Sequence, residues 1–210
     1  MSDLSIYRVN RARYDEEDPW NRPEDASPVP LVSSSDGRPA RLTSEFAVYY
    51  DATKLYVLFH CDDDHVVATH LEHDAPLWEE DVVEIFLGIN GLKQYYEIQV
   101  NPLGTTYDAV VDSPDGTRET MKVDPSWTCD GLRPAIRRVA EGSVINVETL
   151  VAIKFESLGV EAPEPGTQWR ANLFRIDRSP DGDEFLAWSP TRKKPPDFHV
   201  PERFGILEFG

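Results

Sequence analysis

Cysteine and methionine are scarce in this sequence of 210 residues, which contains two of each. Two cysteines, Cys61 and Cys129, leave room for one bridge but not for a disulfide framework. We expect both to act as small buried apolar side chains. The methionines are Met1 and Met121, and most of the five histidines lie close together in sequence. A haem or redox centre with axial Met or His ligands is therefore a weak alternative.

Basic residues are also few, with 21 Lys and Arg against 38 Asp and Glu, so that the formal net charge is −17. Binding to a nucleic acid needs several Lys or Arg contacts to phosphate, and an anionic lipid surface attracts the same residues. The charge therefore predicts no nucleic-acid partner and no membrane partner. Neutral ligands, cationic ligands and metal ions remain.

Long apolar runs are missing from the chain. A membrane helix needs about 18 apolar residues, and the longest apolar stretch, Leu55–Cys61, is interrupted by His60. The start of the chain, Met1–Ile6, lacks the basic and apolar regions of a secretory signal. We expect a cytoplasmic protein, or a secreted one if a signal has been removed.

Motifs of common catalytic sites are missing as well. The sequence has no Gly-x-Ser-x-Gly nucleophile motif and no glycine-rich phosphate loop. The acidic run Glu79, Glu80, Asp81 and Glu84 raises the alternative of a glycosidase. That chemistry needs two carboxylates facing each other across a bond, about 5–10 Å apart. Carboxylates on one strand lie side by side instead, so the sequence predicts no enzymatic activity.

Short β-rich runs separated by turn residues fill most of the chain, which is typical of an all-β sandwich. We predict one domain over residues 1–210, a single antiparallel β-sandwich with two sheets of the jelly-roll or immunoglobulin type. Residues 15–41, rich in Asp, Glu, Pro and Ser, form a long connection within it, and only Lys154–Leu158 is predicted as a helical turn. The predicted strands are Ile6–Val9, Phe46–Tyr50, Lys54–Cys61, Val82–Leu87, Tyr95–Val100, Thr106–Val111, Pro134–Val139, Val144–Ile153, Gln168–Ile176, Phe185–Trp188 and Ile206–Phe209.

In two neighbouring predicted strands, Val82–Leu87 and Tyr95–Val100, polar side chains lie on one face of the strand. In the first, Glu84 shares a face with two apolar side chains, where a carboxylate is costly unless it has a partner. In the second, Tyr95, Glu97, Gln99 and Asn101 share one face. Carboxylate and amide groups suit sugar hydroxyls, which both donate and accept hydrogen bonds. An ordinary solvated sheet face is the alternative.

The order and spacing of these segments resemble family 9 carbohydrate-binding modules, a DOMON-related β-sandwich family, from about Ser44 to Phe209. No single motif is decisive, but the set is specific. The segments that carry the resemblance are Tyr49–Asp51, Leu55–Val57, Asp62 with Asp63, Trp78–Phe86, Tyr95–Pro102, Trp169–Ile176, Ala187–Ser189 and Pro201–Leu207.

The resemblance implies a non-catalytic module that holds a sugar, often at a chain end, between two aromatic rings and so supports carbohydrate catabolism. In this sequence the rings fall on Trp78 and on Phe198, where better-known members have Trp. The acid that family members have between these two rings falls on Glu84. Its polar partners fall on Gln99, which is often Arg elsewhere, and on Asn101.

The resemblance also implies structural calcium, for which the sequence offers Asp62 and Asp63 as candidate ligands. Oxygen ligands of this type suit calcium, but no Asp-x-Asp-x-Asp-Gly loop identifies the full set. A transition-metal site on His65, His70 and His73 is an alternative, although their spacing matches no tetrahedral signature.

The predicted partner is a mono- or oligosaccharide, with a glycoside hydrolase as a possible protein partner. The competing hypothesis is a protein-interaction or scaffold module of the same fold that has lost sugar binding. The departures at Gln99 and Phe198 favour that alternative, and binding of sugars to the folded protein distinguishes the two.

Overall fold

The computed structural model describes residues 4–15 and 17–210, and within these ranges it is built almost entirely of β-strands. No α-helix occurs in the part of the chain described. The only helical segments there are three short 3-10 turns, at Leu77–Glu79, Glu156–Leu158 and Pro201–Arg203. The strands are β1 (Ile6–Arg11), β2 (Val29–Pro30), β3 (Val32–Ser33), β4 (Ser44–Tyr50), β5 (Lys54–Asp63), β6 (Val82–Gly88), β7 (Gln94–Val100), β8 (Thr106–Asp112), β9 (Lys122–Asp124), β10 (Arg133–Glu141), β11 (Val144–Lys154), β12 (Gln168–Asp177), β13 (Glu184–Ala187) and β14 (Gly205–Phe209).

The strands form two sheets that face each other. Sheet 1 has the order β10-β11-β5-β4, with β2 also beside β4, and sheet 2 has the order β14-β12-β6-β7-β8-β9, with β13 and β3 on a side branch. Strand β1 belongs to both, because Ile6–Val9 pairs with β14 and Asn10–Arg11 pairs with β4. Both of these pairings are parallel. The all-β two-sheet prediction is confirmed, but the sandwich is mixed and not strictly antiparallel.

The main core lies between the two sheets and follows from the alternation of side chains along each strand. From sheet 1, Val57 and Phe59 of β5 point into it; from sheet 2, Ile85 and Leu87 of β6 and Ile98 of β7 do so. All are buried in one apolar cluster. Because every second residue of β6 and β7 is committed to this core, the residues between them face outward from sheet 2.

A second apolar cluster covers this outer face of sheet 2. Phe86, Phe174, Phe198 and Phe204 belong to it, so loops pack over the face instead of leaving it open to water. The outer face of sheet 1 is covered in the same way by the N-terminal segment, where Tyr14 stacks on Tyr56 with the ring centroids 4.7 Å apart. Among the described residues, the outer face of sheet 2 combines this cover with the buried acids Glu84 and Glu97.

Residues 15–41 contain more structure than their composition predicts. Strand β2 pairs with β4, and β3 pairs with β13, through partners far away in sequence. Strands of two residues have no periodicity of their own, so sequence patterns do not reveal them. Glu16 of this segment lies outside the described residues. The same holds for Met1–Asp3 of the segment Met1–Ile6, in which no secretory signal is predicted.

The remaining element predictions agree with the structure. All eleven predicted strands are present with ends shifted by up to two residues, and the helical turn appears as the 3-10 turn Glu156–Leu158. Cys61 and Cys129 are both free and buried. Among the described residues, no helix is long and apolar enough to cross a membrane.

Candidate functional site

A cleft of about 460 Å³ opens on the outer face of sheet 2, and we call it the sheet cleft. Its floor is made of Glu84 from β6, and Glu97 and Gln99 from β7. Glu84 lies directly opposite Gln99 in the antiparallel ladder, and Gln99 lies opposite Tyr107 of β8. The alternation that sends Ile85 and Ile98 into the core therefore turns these polar side chains into one cleft.

The floor residues are almost completely buried, with 2% of Glu84, 4% of Glu97 and 1% of Gln99 exposed. Gln99 donates from Nε2 to Oε1 of Glu97 at 2.7 Å. Its own Oε1 has no hydrogen-bond partner among the residues that the structure describes. A buried acceptor without a donor costs free energy, so a ligand that donates a hydrogen bond to Oε1 of Gln99 would remove this cost.

Burial also changes the ionisation of the floor. It raises the pKa of Glu97 to about 7. It raises the pKa of Glu84 well above its ordinary value, with the neighbouring Glu97 charge adding to the effect. Protons are therefore held on this pair near neutral pH, and the floor can both donate and accept hydrogen bonds.

His199 closes one side of the floor as a neutral ring. Burial first, and the charge of Arg118 second, lower its pKa to about 3. Its Nδ1 lies 2.8 Å from the hydroxyl of Tyr95, and its Nε2 lies 3.9 Å from Oε2 of Glu97. With the hydroxyl donating to Nδ1, the ring proton sits on Nε2 and points toward the floor.

The aromatic residues of the cleft differ in exposure. Trp78 is 43% exposed and packs edge-to-face on Tyr107, with the ring centroids 5.4 Å apart. Phe198 is only 7% exposed and lies nearly parallel to Phe174, at 4.2 Å between centroids. Half-buried Phe185 lines the same cleft. Trp78 is the ring with the largest face available for stacking.

Two arginines in the cleft wall are already paired. Arg118 donates to both carboxylate oxygens of Asp197, at 2.8 and 3.2 Å. Arg178 donates to Asp183 and to the backbone carbonyl of Trp78, both at 2.6 Å. The second contact ties the segment that presents the Trp78 ring to the loop after β12.

The structure brings four of the five predicted site residues together, because Trp78, Glu84, Gln99 and Phe198 all line the sheet cleft. Asn101 does not line it. Its amide donates to the carbonyl of His70, and its oxygen accepts from two backbone N–H groups of the turn after β7. A side chain with these bonds holds the turn together, away from the sheet cleft.

Sequence reasoning missed several residues of the cleft. The position of Glu97 could have been predicted, since the alternation along β7 places it on the same face as Gln99. Arg118, Arg178 and His199 lie in loops, where no periodicity shows which way a side chain points. Of these three, Arg118 and Arg178 bring positive charge to the cleft wall, whereas His199 is neutral.

The calcium candidates Asp62 and Asp63 point to opposite sides of β5. Asp62 accepts a hydrogen bond from Asn146 at 3.0 Å. Asp63 is buried beside Asp81 and Asp177, with potential ligand atoms of all three within 4.8 Å of one another. Only Asp63 of the predicted pair therefore belongs to a cluster of this kind.

Arg175 shares this buried acidic cluster. Its Nη2 lies 2.9 Å from Oδ2 of Asp63 and 3.4 Å from Oδ1 of Asp177. Asp177 is 1% exposed, and neither of its carboxylate oxygens has a hydrogen-bond partner in the described part of the chain. Its second oxygen lies 3.7 Å from Arg41. Three buried carboxyl groups thus face one buried guanidinium group, that of Arg175, with the more exposed Arg41 at the edge of the cluster.

The histidine alternative finds little geometric support. His73 lies with Asp74 and Asp108 within 4.8 Å, but His73 and Asp74 are exposed. His73 already contacts Thr106 through Nδ1, and Asp108 accepts from the backbone N–H of Cys129. Within residues 4–15 and 17–210, neither His65 nor His70 joins such a group.

Two facing sheets with a polar-floored, aromatic-rimmed cleft on one outer face define a β-sandwich binding module. The sequence profile of Carbohydrate-binding family 9 matches residues 34–209, and the chain belongs to this family of non-catalytic modules. Comparison with curated proteins finds no match.

Solved structures share the fold at low sequence identity. One is a protein of Bacteroides uniformis ATCC 8492 to which carbohydrate binding has been attributed, with TM-score 0.78, 17% identity, and coverage of 99% of this chain and 100% of the other. A family 9 module of Caldicellulosiruptor kristjanssonii in complex with cellotriose gives TM-score 0.61 and 15% identity, over 98% of this chain and 93% of the other. A structure of such a module from the same organism with glucose gives TM-score 0.60 and 15% identity, over 98% and 96%.

Proposed function

We propose that the protein binds a mono- or oligosaccharide in the sheet cleft, with one sugar ring stacked on Trp78 and its hydroxyls hydrogen-bonded by the floor. The observation that carries this proposal is the pairing of a half-exposed indole with a buried polar floor whose Gln99 acceptor is unsatisfied. The apolar face of a pyranose fits an aromatic ring, and its hydroxyls fit groups that donate and accept.

Family membership gives the ligand class, and the two Caldicellulosiruptor kristjanssonii structures are complexes with glucose and cellotriose. In this chain Phe198 contributes little surface to the cleft, because it is 7% exposed and one of its faces is stacked on Phe174. Most of the stacking therefore falls to Trp78. We expect weak binding, on the order of 10 μM to 1 mM, since ordering costs offset a few contacts.

The proposal is tested by calorimetric titration of the folded protein with reducing mono- and disaccharides. We expect saturable heat for at least one sugar, and an affinity lowered about tenfold or more in Trp78→Ala, since the aromatic contact and its buried area are lost. The control is Trp20→Ala, which removes a half-buried indole from the outer face of sheet 1.

If Trp78→Ala and Trp20→Ala lower the sugar affinity equally, the proposed stacking on Trp78 is contradicted. Silence across the panel would favour the scaffold alternative, which the burial of Phe198 supports.

We further propose that calcium is held by Asp63, Asp81 and Asp177. Three buried carboxyl groups supply the hard oxygen ligands that calcium prefers. The oxygens of Asp177 lie 3.4 and 3.7 Å from the two guanidinium groups and have no hydrogen-bond partner among the described residues, so a cation at shorter range can still bind them. The ion would supply positive charge where the guanidinium groups leave the carboxyl groups unbalanced. Asp62, whose carboxylate faces Asn146, is outside this proposed ligand set.

A role in carbohydrate catabolism requires a catalyst elsewhere, because the family is non-catalytic. We propose that a glycoside hydrolase acts on the sugar that this protein holds. The support for this step is the chemistry of the cleft, where Glu84 and Glu97 lie side by side on one floor and do not face each other across a ligand. Two carboxyl groups placed in this way are suited to binding, not to hydrolysis.

A further inference from the structure

The charges of the sheet cleft are unevenly matched. Arg118 is paired with Asp197, and Arg178 is paired with Asp183, so each wall cation has its own carboxylate. Neither Glu84 nor Glu97 forms an ion pair with a Lys or Arg among the described residues. The nearest ring nitrogen, Nε2 of His199, is 3.9 Å from Glu97 and belongs to a neutral ring. The floor thus lacks a cation of its own.

The hydrogen-bond acceptors of the floor are also incompletely matched by donors among the described residues. The amide of Gln99 gives one donor to Glu97, while its buried Oε1 accepts no hydrogen bond from the described residues. Oε2 of Glu97 is too far from His199 for a hydrogen bond. Once its two acids are ionised, the floor offers more acceptors than donors, and a ligand that brings a positive charge and several donors at one point fits that state best.

An ammonium group brings three donors and no acceptor, whereas a hydroxyl brings one donor together with its own lone pairs. We infer that the sheet cleft selects sugars with a free amino group, with the ammonium on the Glu84–Glu97–Gln99 floor and the ring against Trp78. The positive charge favours ionisation of both acids and turns neutral hydrogen bonds into charge-assisted ones, which are about twice as strong. The net charge of −17 attracts such cations at a distance.

This inference rests on the proposed function and is tested by comparing three ligands that share one ring. Glucose, glucosamine and N-acetylglucosamine are titrated separately at neutral pH and low salt. We expect glucosamine to bind about tenfold more tightly than glucose, as one charge-assisted hydrogen bond predicts. N-acetylglucosamine, which has lost the charge, is expected to bind no better than glucose. Added salt is expected to reduce the preference.

The variant that isolates the floor charge is Glu97→Gln, which keeps the shape and removes the carboxylate. We expect the ratio of glucosamine to glucose affinity to fall toward one. The matched control, Glu141→Gln, makes the same charge change at the exposed end of β10 in sheet 1 and should leave the ratio unchanged.

Each outcome separates this inference from the proposed function. Glucose binding as tightly as glucosamine overturns the amino-sugar preference and leaves sugar binding intact. A preference that survives in both Glu97→Gln and Glu84→Gln also overturns it. Absence of binding by all three sugars overturns the proposed function together with the inference.

Discussion

Phe198 and Trp78 occupy one cleft but serve it differently, because one ring is buried and the other is half exposed. Phe198 stacks on Phe174 and lies near Phe185, so its face fills the apolar cluster on sheet 2. Trp78 packs on Tyr107 with the two ring planes nearly perpendicular and is 43% exposed. The family resemblance implies a ligand contact at both positions, and burial decides how much of each ring a ligand can reach.

Phe198→Ala should therefore act on stability more than Trp78→Ala does. Removing a buried Phe leaves a cavity and costs about 3 kcal/mol or more of unfolding free energy. Truncating the half-exposed Trp78 should cost clearly less. Urea unfolding of both variants at one pH measures the two costs, and equal losses would contradict the assigned burial.

Glu97 makes stability depend on pH in a direction opposite to that of an ion-paired acid. Its pKa rises from 4.5 in the unfolded chain to about 7 in the folded protein. Between these values the folded state holds the proton more tightly, so this group's contribution to stability is lost as pH rises from 4.5 to 7.

Glu97→Gln should therefore gain stability relative to the parent across that interval. The gain approaches about 3 kcal/mol at most, the value of a shift from 4.5 to about 7. Urea unfolding of both proteins between pH 4.5 and 8 measures the difference. A difference that stays flat over this range would show that Glu97 titrates normally in the folded protein.

At the scale of elements, the calcium proposal depends on three segments meeting: the end of β5, the residue before β6 and the end of β12. Calcium should raise the melting temperature of the parent protein, because an ion that binds only the folded state stabilises it. Asp177→Asn should abolish this rise.

Asp62→Asn is the matched control for this experiment, since it makes the same change one residue from Asp63 but on the other side of β5. The control should retain the response to calcium. Loss of the response in the control, or its survival in Asp177→Asn, would place the ion elsewhere.

The strands that sequence patterns predicted all have four residues or more. Strand β7 alternates in polarity and β6 carries one carboxylate among apolar side chains, so the shared outward direction of Glu84 and Gln99 could be predicted from the sequence. Strands β2, β3 and β9 have two or three residues and exist through their partners. Asn101 continues the alternation of β7, but the chain turns there and its side chain is used in the turn.

At the scale of the whole molecule, the position of β1 could not be predicted. Its sequence indicates a strand, but parallel pairing with β14 and then β4 depends on how the two ends of the chain meet. The loops that bring Arg118 and His199 to the cleft are placed by the same long-range packing. The floor of the site could thus be predicted from the residue pattern of β6 and β7, whereas much of its wall depends on long-range packing of the loops.

Binding of a sugar in the sheet cleft can be observed residue by residue in two-dimensional ¹H–¹⁵N NMR spectra recorded with increasing glucose and glucosamine. We expect progressive, saturable shifts of the Trp78 indole N–H and the Gln99 side-chain amide, while the Trp20 indole signal on the opposite sheet stays fixed. Saturable shifts centred on Trp20, or unchanged Trp78 and Gln99 signals at saturating sugar, would contradict binding in the sheet cleft.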